Sequence, residues 1–93
     1  MPTYLVTYDL VGTDVNSANY KNLREAIEAY GYYAEVQKSV WFIRAQATAK
    51  QVFDDLWQHM HSADRLLVIR IQREAAWEDV MGCDDWLREN LSN

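Results

Sequence analysis

Residues 3–10, Thr3-Tyr4-Leu5-Val6-Thr7-Tyr8-Asp9-Leu10, alternate with a period of two. Tyr4, Val6, Tyr8 and Leu10 share one side, and Thr3, Leu5, Thr7 and Asp9 the other, which predicts a strand rich in aromatic and β-branched residues. Beyond it, Gly12 to Asn19 is polar and loop-like, with Asn16 or Ser17 as candidate helix caps. Tyr20, Leu23, Ala26, Ile27 and Tyr30 then recur at three- and four-residue spacing, an amphipathic helix ended by Gly31. Tyr32 to Val36 reads as a short strand. Ser39 to Ala45 reads as a stronger one, with Val40, Trp41, Phe42 and Ile43 apolar on both faces. Thr48 followed by Gln51 is a capping-box pattern, and the helix it starts carries Val52, Phe53, Leu56, Trp57 and Met60 along one side. Leu66 to Ile71 is the last strong strand, and Asp84 caps a final short helix through Leu91 that carries Trp86 and Leu87.

The order is strand, helix, strand, strand, helix, strand, tail. This is the split βαβ pattern of an α+β, ferredoxin-like βαββαβ domain. It predicts one domain over residues 1–93, with a core at 3–72 and a helical tail at 73–93. The expected sheet has four strands, with the first and third parallel in the middle and both long helices on one face. Strands that are apolar on both faces need a second cover, which the tail, another subunit or both would supply. A two-fold dimer through the sheet face away from the helices is the expectation.

Charge narrows the partners. The chain carries a formal net charge of −5. Residues 1–37 hold two basic and five acidic side chains, residues 38–73 six and three, and residues 74–93 one and six. Phosphate affinity comes mainly from Lys and Arg, so the chain as a whole is a weak nucleic-acid binder, with Lys38, Arg44, Arg70 and Arg73 as candidate contacts. Cys83 is the single cysteine, so no intrachain disulfide forms. No apolar run approaches the roughly 20 residues that span a bilayer, and no signal-peptide pattern opens the chain. A cytoplasmic location with no membrane partner is the expectation.

Asp9 is the sharpest chemical feature. An acid at a strand end, just before a loop, is reachable by ligand, and its oxygens suit a hard cation such as Mg²⁺. One Asp is too few for a metal site, but a symmetric dimer would duplicate it. Capping of the following loop is the structural alternative. Gln37 and Ser39 sit at a polar corner where backbone hydrogen bonding is their ordinary use. His59 and His61, two apart on the second helix, face different directions and do not chelate one ion.

Three segments in order also resemble a known family. Tyr4 to Leu10 with its Tyr-Asp-Leu end, a helix ending in Tyr30-Gly31, and Val36-Gln37-Lys38-Ser39-Val40-Trp41-Phe42 are similar to the CRISPR-associated Cas-two family. Asp64 before Leu66-Leu67-Val68-Ile69 resembles that family's last core strand, so the resemblance covers roughly residues 3–72. It implies a ferredoxin-like homodimer. Some members are metal-dependent endonucleases with the strand-end Asp near the two-fold, others bridge integrase subunits and hold duplex DNA, and the related VapD toxins look like ribonucleases. By position the metal-ligand and catalytic Asp carries over to Asp9, and the strand-motif Ser to Ser39. The family often has Arg in the first loop, and Gly12 to Asn19 contains none. The Trp86-Leu87-Arg88-Glu89-Asn90-Leu91 ending resembles the stand-alone SinR-family branch. Two functions follow from the resemblance: a homodimeric binding protein that engages a protein partner or, weakly, nucleic acid, or a divalent-metal-dependent endonuclease using Asp9 from both protomers.

Overall fold

The computed structural model describes residues 1–11, 18–71 and 84–91. The elements are β1 (Thr3–Asp9), α1 (Ala18–Glu28), β2 (Tyr32–Gln37), β3 (Val40–Arg44), α2 (Ala49–Trp57), β4 (Arg65–Ile71) and α3 (Asp84–Leu91). The candidate caps Asn16 and Ser17 lie outside the described residues. Asp84 is the first residue of α3 rather than its cap.

Local signals explain most boundaries. After α1 the chain turns through Gly31, whose φ of +85° lies in the left-handed region that glycine enters at no steric cost. Its N–H donates to the Glu28 carbonyl at 3.0 Å. The capping box forms as read: the Gln51 N–H donates to Thr48 Oγ1 at 3.1 Å and the Thr48 N–H to Gln51 Oε1 at 2.8 Å. α2 ends at Trp57, so His59 and His61 lie in the turn that follows and not on the helix.

The four strands form one sheet in the order β2-β3-β1-β4. β1 and β3 are central as expected, but they pair antiparallel, which corrects the parallel pairing read from the sequence. The reason is the connection through α1. A helix crossover leaves β1 and β2 pointing the same way, and the tight β2–β3 hairpin then reverses the chain, so β3 must oppose β1.

The helices cover one face. Tyr4, Val6 and Tyr8 of β1 are buried there with Trp41 and Ile43 of β3, against Leu23 and Ile27 of α1 and Val52 and Leu56 of α2. The Tyr4 hydroxyl donates to the Ala47 carbonyl, which satisfies a buried polar group. The opposite face is half covered by α3. Leu87, 1% exposed, packs with Ala34 and Val36, and Trp86 stacks on Phe42 with ring centroids 6.4 Å apart. Leu67 and Ile69 of β4 stay 50% and 42% exposed on the remaining half.

Two measurements check this packing. Leu87→Ala should lower stability by about 2–5 kcal/mol in urea denaturation, because a buried leucine lost from a closed cluster leaves a cavity. Ser39 sits in the hairpin turn with φ of 61°, a left-handed conformation that costs an L-residue roughly 1–2 kcal/mol. Ser39→Gly relieves that cost and adds a smaller chain-entropy penalty, so the melting temperature should rise by about 2–8 °C.

Candidate functional site

The site lies where β1 ends. Residue parity sends Tyr8 into the helix-covered core and Asp9 to the opposite face, where it pairs in register with Arg65 of β4. Arg65 Nη1 donates to Asp9 Oδ2 at 3.0 Å, and the two side chains are 72% and 69% exposed. They border an open groove of about 390 Å³ lined by Thr7, Tyr8, Asp9, Arg65, Leu66 and Leu67.

A second carboxylate fixes the strand ends. Asp64, 5% exposed, accepts the Val11 N–H on Oδ1 and the His61 N–H on Oδ2, both at 2.9 Å. The turn is completed by the Asp64 N–H on the His61 carbonyl at 2.9 Å and the Ala63 N–H on His61 Nδ1 at 3.0 Å. Burying a carboxylate costs several kcal/mol unless hydrogen bonds compensate, and here two backbone donors do so. Asp64 therefore clamps the chain two residues after Asp9 to the turn just before Arg65.

Beneath this, on the helix side, lies a polar network. Trp41 Nε1 donates to the buried Tyr8 hydroxyl at 3.1 Å. Arg24 forms two bonds to the Glu35 carboxylate, at 3.1 and 3.2 Å, and its guanidinium lies 4.9 Å from the centre of the Trp41 ring. The bonds to Glu35 push the Arg24 guanidinium above its ordinary value, fixing its charge. Burial pushes the Tyr8 phenol up, so it stays neutral and is no base near neutral pH. This network fastens α1 to β2 and β3 and leaves Asp9 as the chemically accessible acid of the groove.

The other sequence-read residues separate. The Ser39 carbonyl accepts the Tyr8 N–H at 3.2 Å, which brings the hairpin tip beside the residue preceding Asp9. Lys38, exposed in the same turn, lies at this end of the sheet. Arg44 lies at the far end of β3, paired with Thr3, and its Nη2 donates to the Met1 carbonyl at 3.2 Å. Arg70 pairs with Tyr4, which puts it at the far end on the helix side. Arg73 lies outside the described residues. The structure thus joins Asp9, Ser39 and Lys38 at one end and leaves Arg44 and Arg70 at the other. Arg65 and Asp64 are the residues the sequence reading passed over as site components. Nothing in the pattern marked Arg65, because its position opposite Asp9 is a register pairing between residues 56 apart in the chain.

A divalent cation fits this end only in part. Asp9 offers an open carboxylate that already meets a cationic group at 3.0 Å. Among the described residues no group of three His, Cys, Asp or Glu side chains is placed to hold a metal. Among them, too, no helix is long and apolar enough to cross a membrane.

The protein-family model described as CRISPR associated protein Cas2 matches residues 1–79. That match spans the whole sheet, both crossover helices and the Asp9 strand end, and the chain belongs to the CRISPR associated protein Cas2 family.

Proposed function

We propose that this protein is a homodimeric, Cas2-type binding protein that engages a protein partner or, weakly, nucleic acid. The observation that carries this is the half-covered outer sheet face. α3 closes the β2–β3 side, while Leu67 and Ile69 of β4 remain exposed beside Leu5 of β1. Exposed apolar residues on the outer face of β4, an edge strand of the sheet, fit a second copy of the chain. The net charge of −5 per protomer doubles on dimerisation and opposes tight phosphate binding. The Trp86-Leu87 ending and the acidic tail support assignment to the stand-alone branch related to SinR-family and VapD proteins.

A second reading is favoured by the position of Asp9 on that same uncovered face. A two-fold through the face would duplicate Asp9, and two carboxylates plus waters form a reasonable oxygen set for Mg²⁺. The cation would supply charge neutralisation at a phosphodiester and a more acidic water. Asp9 from each protomer would hold it, with the Ser39 hydroxyl assisting at the neighbouring hairpin. This gives a divalent-metal-dependent endonuclease acting on RNA or DNA.

Two experiments test these readings. Sedimentation at micromolar concentration should give a dimer, and the double variant Leu67→Glu/Ile69→Glu should give a monomer with unchanged circular dichroism. A wild-type monomer would overturn the dimer. If the protein cleaves nucleic acid, cleavage should require a divalent cation, and Asp9→Asn should reduce it by more than the roughly 10–100-fold that losing an outer partner of a metal ligand costs. Full-rate cleavage by Asp9→Asn would overturn the nuclease reading.

A further inference from the structure

The outer face of β1 and β4 is a short series of cross-strand rows. Leu5 pairs with Ile69, Thr7 with Leu67, and Asp9 with Arg65. Leu67 and Ile69 are exposed, and the last row is a 3.0 Å ion pair whose side chains are mostly in water. α3 closes the rest of the face. It packs on Ala34 and Val36 of β2, with Val40 and Phe42 of β3 and Ile71 at the far end of β4 in the same cluster. A second sheet laid on this face therefore meets β1 and β4.

With strands aligned, as in stacked sheets, a two-fold axis within the interface runs either across the strands or along them. An axis across the strands lays each strand over its own copy. β3 then faces the partner's β3, and the two α3 helices, one on each, collide in the space between. The charges fare no better. Centred on the last row, this axis sets Asp9 against the partner's Asp9 and Arg65 against the partner's Arg65. Centred one row further in, it buries both charges against the partner's Leu5 and the partner's Ile69. Like-charge contacts and unpaired buried charges both oppose association.

An axis along the strands, between β1 and β4, has neither fault. It lays β1 over the partner's β4 at the same height, and the partner's β3 falls beyond the β4 edge, clear of α3. Leu5 meets the partner's Ile69, and Asp9 meets the partner's Arg65. The four charges of the last row then alternate in sign around the axis. Packed sheets stand about 10 Å apart, a gap that an arginine side chain can cross. An exposed ion pair is weak enough to share its members with a partner.

We propose that the two-fold axis of the dimer runs along the strands between β1 and β4, and that Asp9 of each protomer pairs with Arg65 of the partner subunit. The inference rests on the dimer reading and is incompatible with the reading that brings two Asp9 carboxylates together. The pairs fix register more than they add affinity, since apolar contact supplies the attraction and only one alignment satisfies the charges.

The test uses the full chain. Asp9→Arg and Arg65→Asp each place like charges around the axis, so each alone should dimerise roughly tenfold or more weakly than wild type in sedimentation equilibrium. Mixed together, they restore two opposite-sign contacts between subunits, and native mass spectrometry should show the heterodimer in excess over both homodimers. The double variant Asp9→Arg/Arg65→Asp should dimerise much as wild type does. Asp54→Lys and Lys50→Asp reverse an exposed pair on α2 by the same charges; each should dimerise as wild type does, and their mixture sets the background level of heterodimer. Circular dichroism checks every variant. Where a reversal unfolds, Asp9→Asn and Arg65→Gln take its place, and their mixture should favour the heterodimer more weakly. If wild type is a monomer at micromolar concentration, the dimer reading fails and this inference with it. If wild type dimerises but both reversals dimerise equally well, or their mixture shows no heterodimer excess beyond that of the α2 pair, the pairing of Asp9 with the partner's Arg65 is overturned and the dimer stands.

Discussion

β1 is paired on both sides, with β3 from Thr3 to Thr7 and with β4 along its full length. A strand so enclosed has no freedom to slip, because moving by one residue would send Tyr4, Val6 and Tyr8 out of the core and Leu5, Thr7 and Asp9 into it. That parity decides the rest. The tyrosines demand partners on the helix side and find them in the Ala47 carbonyl and the Trp41 indole. Asp9, with the opposite parity and the last position, stays in water. One central strand thereby separates a satisfied core from an accessible acid.

The two carboxylates at this end of the sheet show how burial divides labour. Asp64 is nearly inaccessible, and its oxygens accept backbone N–H groups from two different segments. Hydrogen bonds to a charged group are each worth about 1.5–3 kcal/mol, which suits a structural clamp, and burial keeps these oxygens from an outside ligand. Asp9 is mostly exposed and, among the described residues, pairs with the solvent-facing guanidinium of Arg65. Its pairing adds little to stability, which leaves the group available for exchange. The clamp and the exchangeable pair are neighbours in the chain on the β4 side, Asp64 next to Arg65, so the firm contact positions the loose one.

The outer face carries a similar division. α3 adds an aromatic stack and a fully buried leucine over β2 and β3, and it adds them from a segment rich in acidic residues. On the β4 side Leu67 and Ile69 stay in contact with water, while Ile71 packs against the α3 cluster. A chain of 93 residues has little surface to spare for its core, and leaving Leu67 and Ile69 uncovered has a cost that the proposed dimer would offset.

Periodicity alone determined the element order. The alternation at Tyr4-Val6-Tyr8, the Leu23–Ile27 spacing, the Thr48–Gln51 box and the apolar run at 40–43 each report a local geometry, and local geometry is what a sequence encodes directly. The Cas2 family motifs were legible for the same reason: Tyr8-Asp9 and Gln37-Lys38-Ser39-Val40 are contiguous. The direction of β1 against β3 was not legible in the pattern, because strands of either orientation show the same alternation and only the connections fix their sense. Of the basic residues read as one group, Lys38, Arg44, Arg70 and Arg73, the last lies outside the described residues and the other three divide between two ends of the sheet, since strand length and register assign them and composition does not. The Asp9–Arg65 pair and the Asp64 clamp were decided by tertiary structure alone. They join residues more than fifty positions apart, and only the β1–β4 ladder brings such residues within hydrogen-bonding distance.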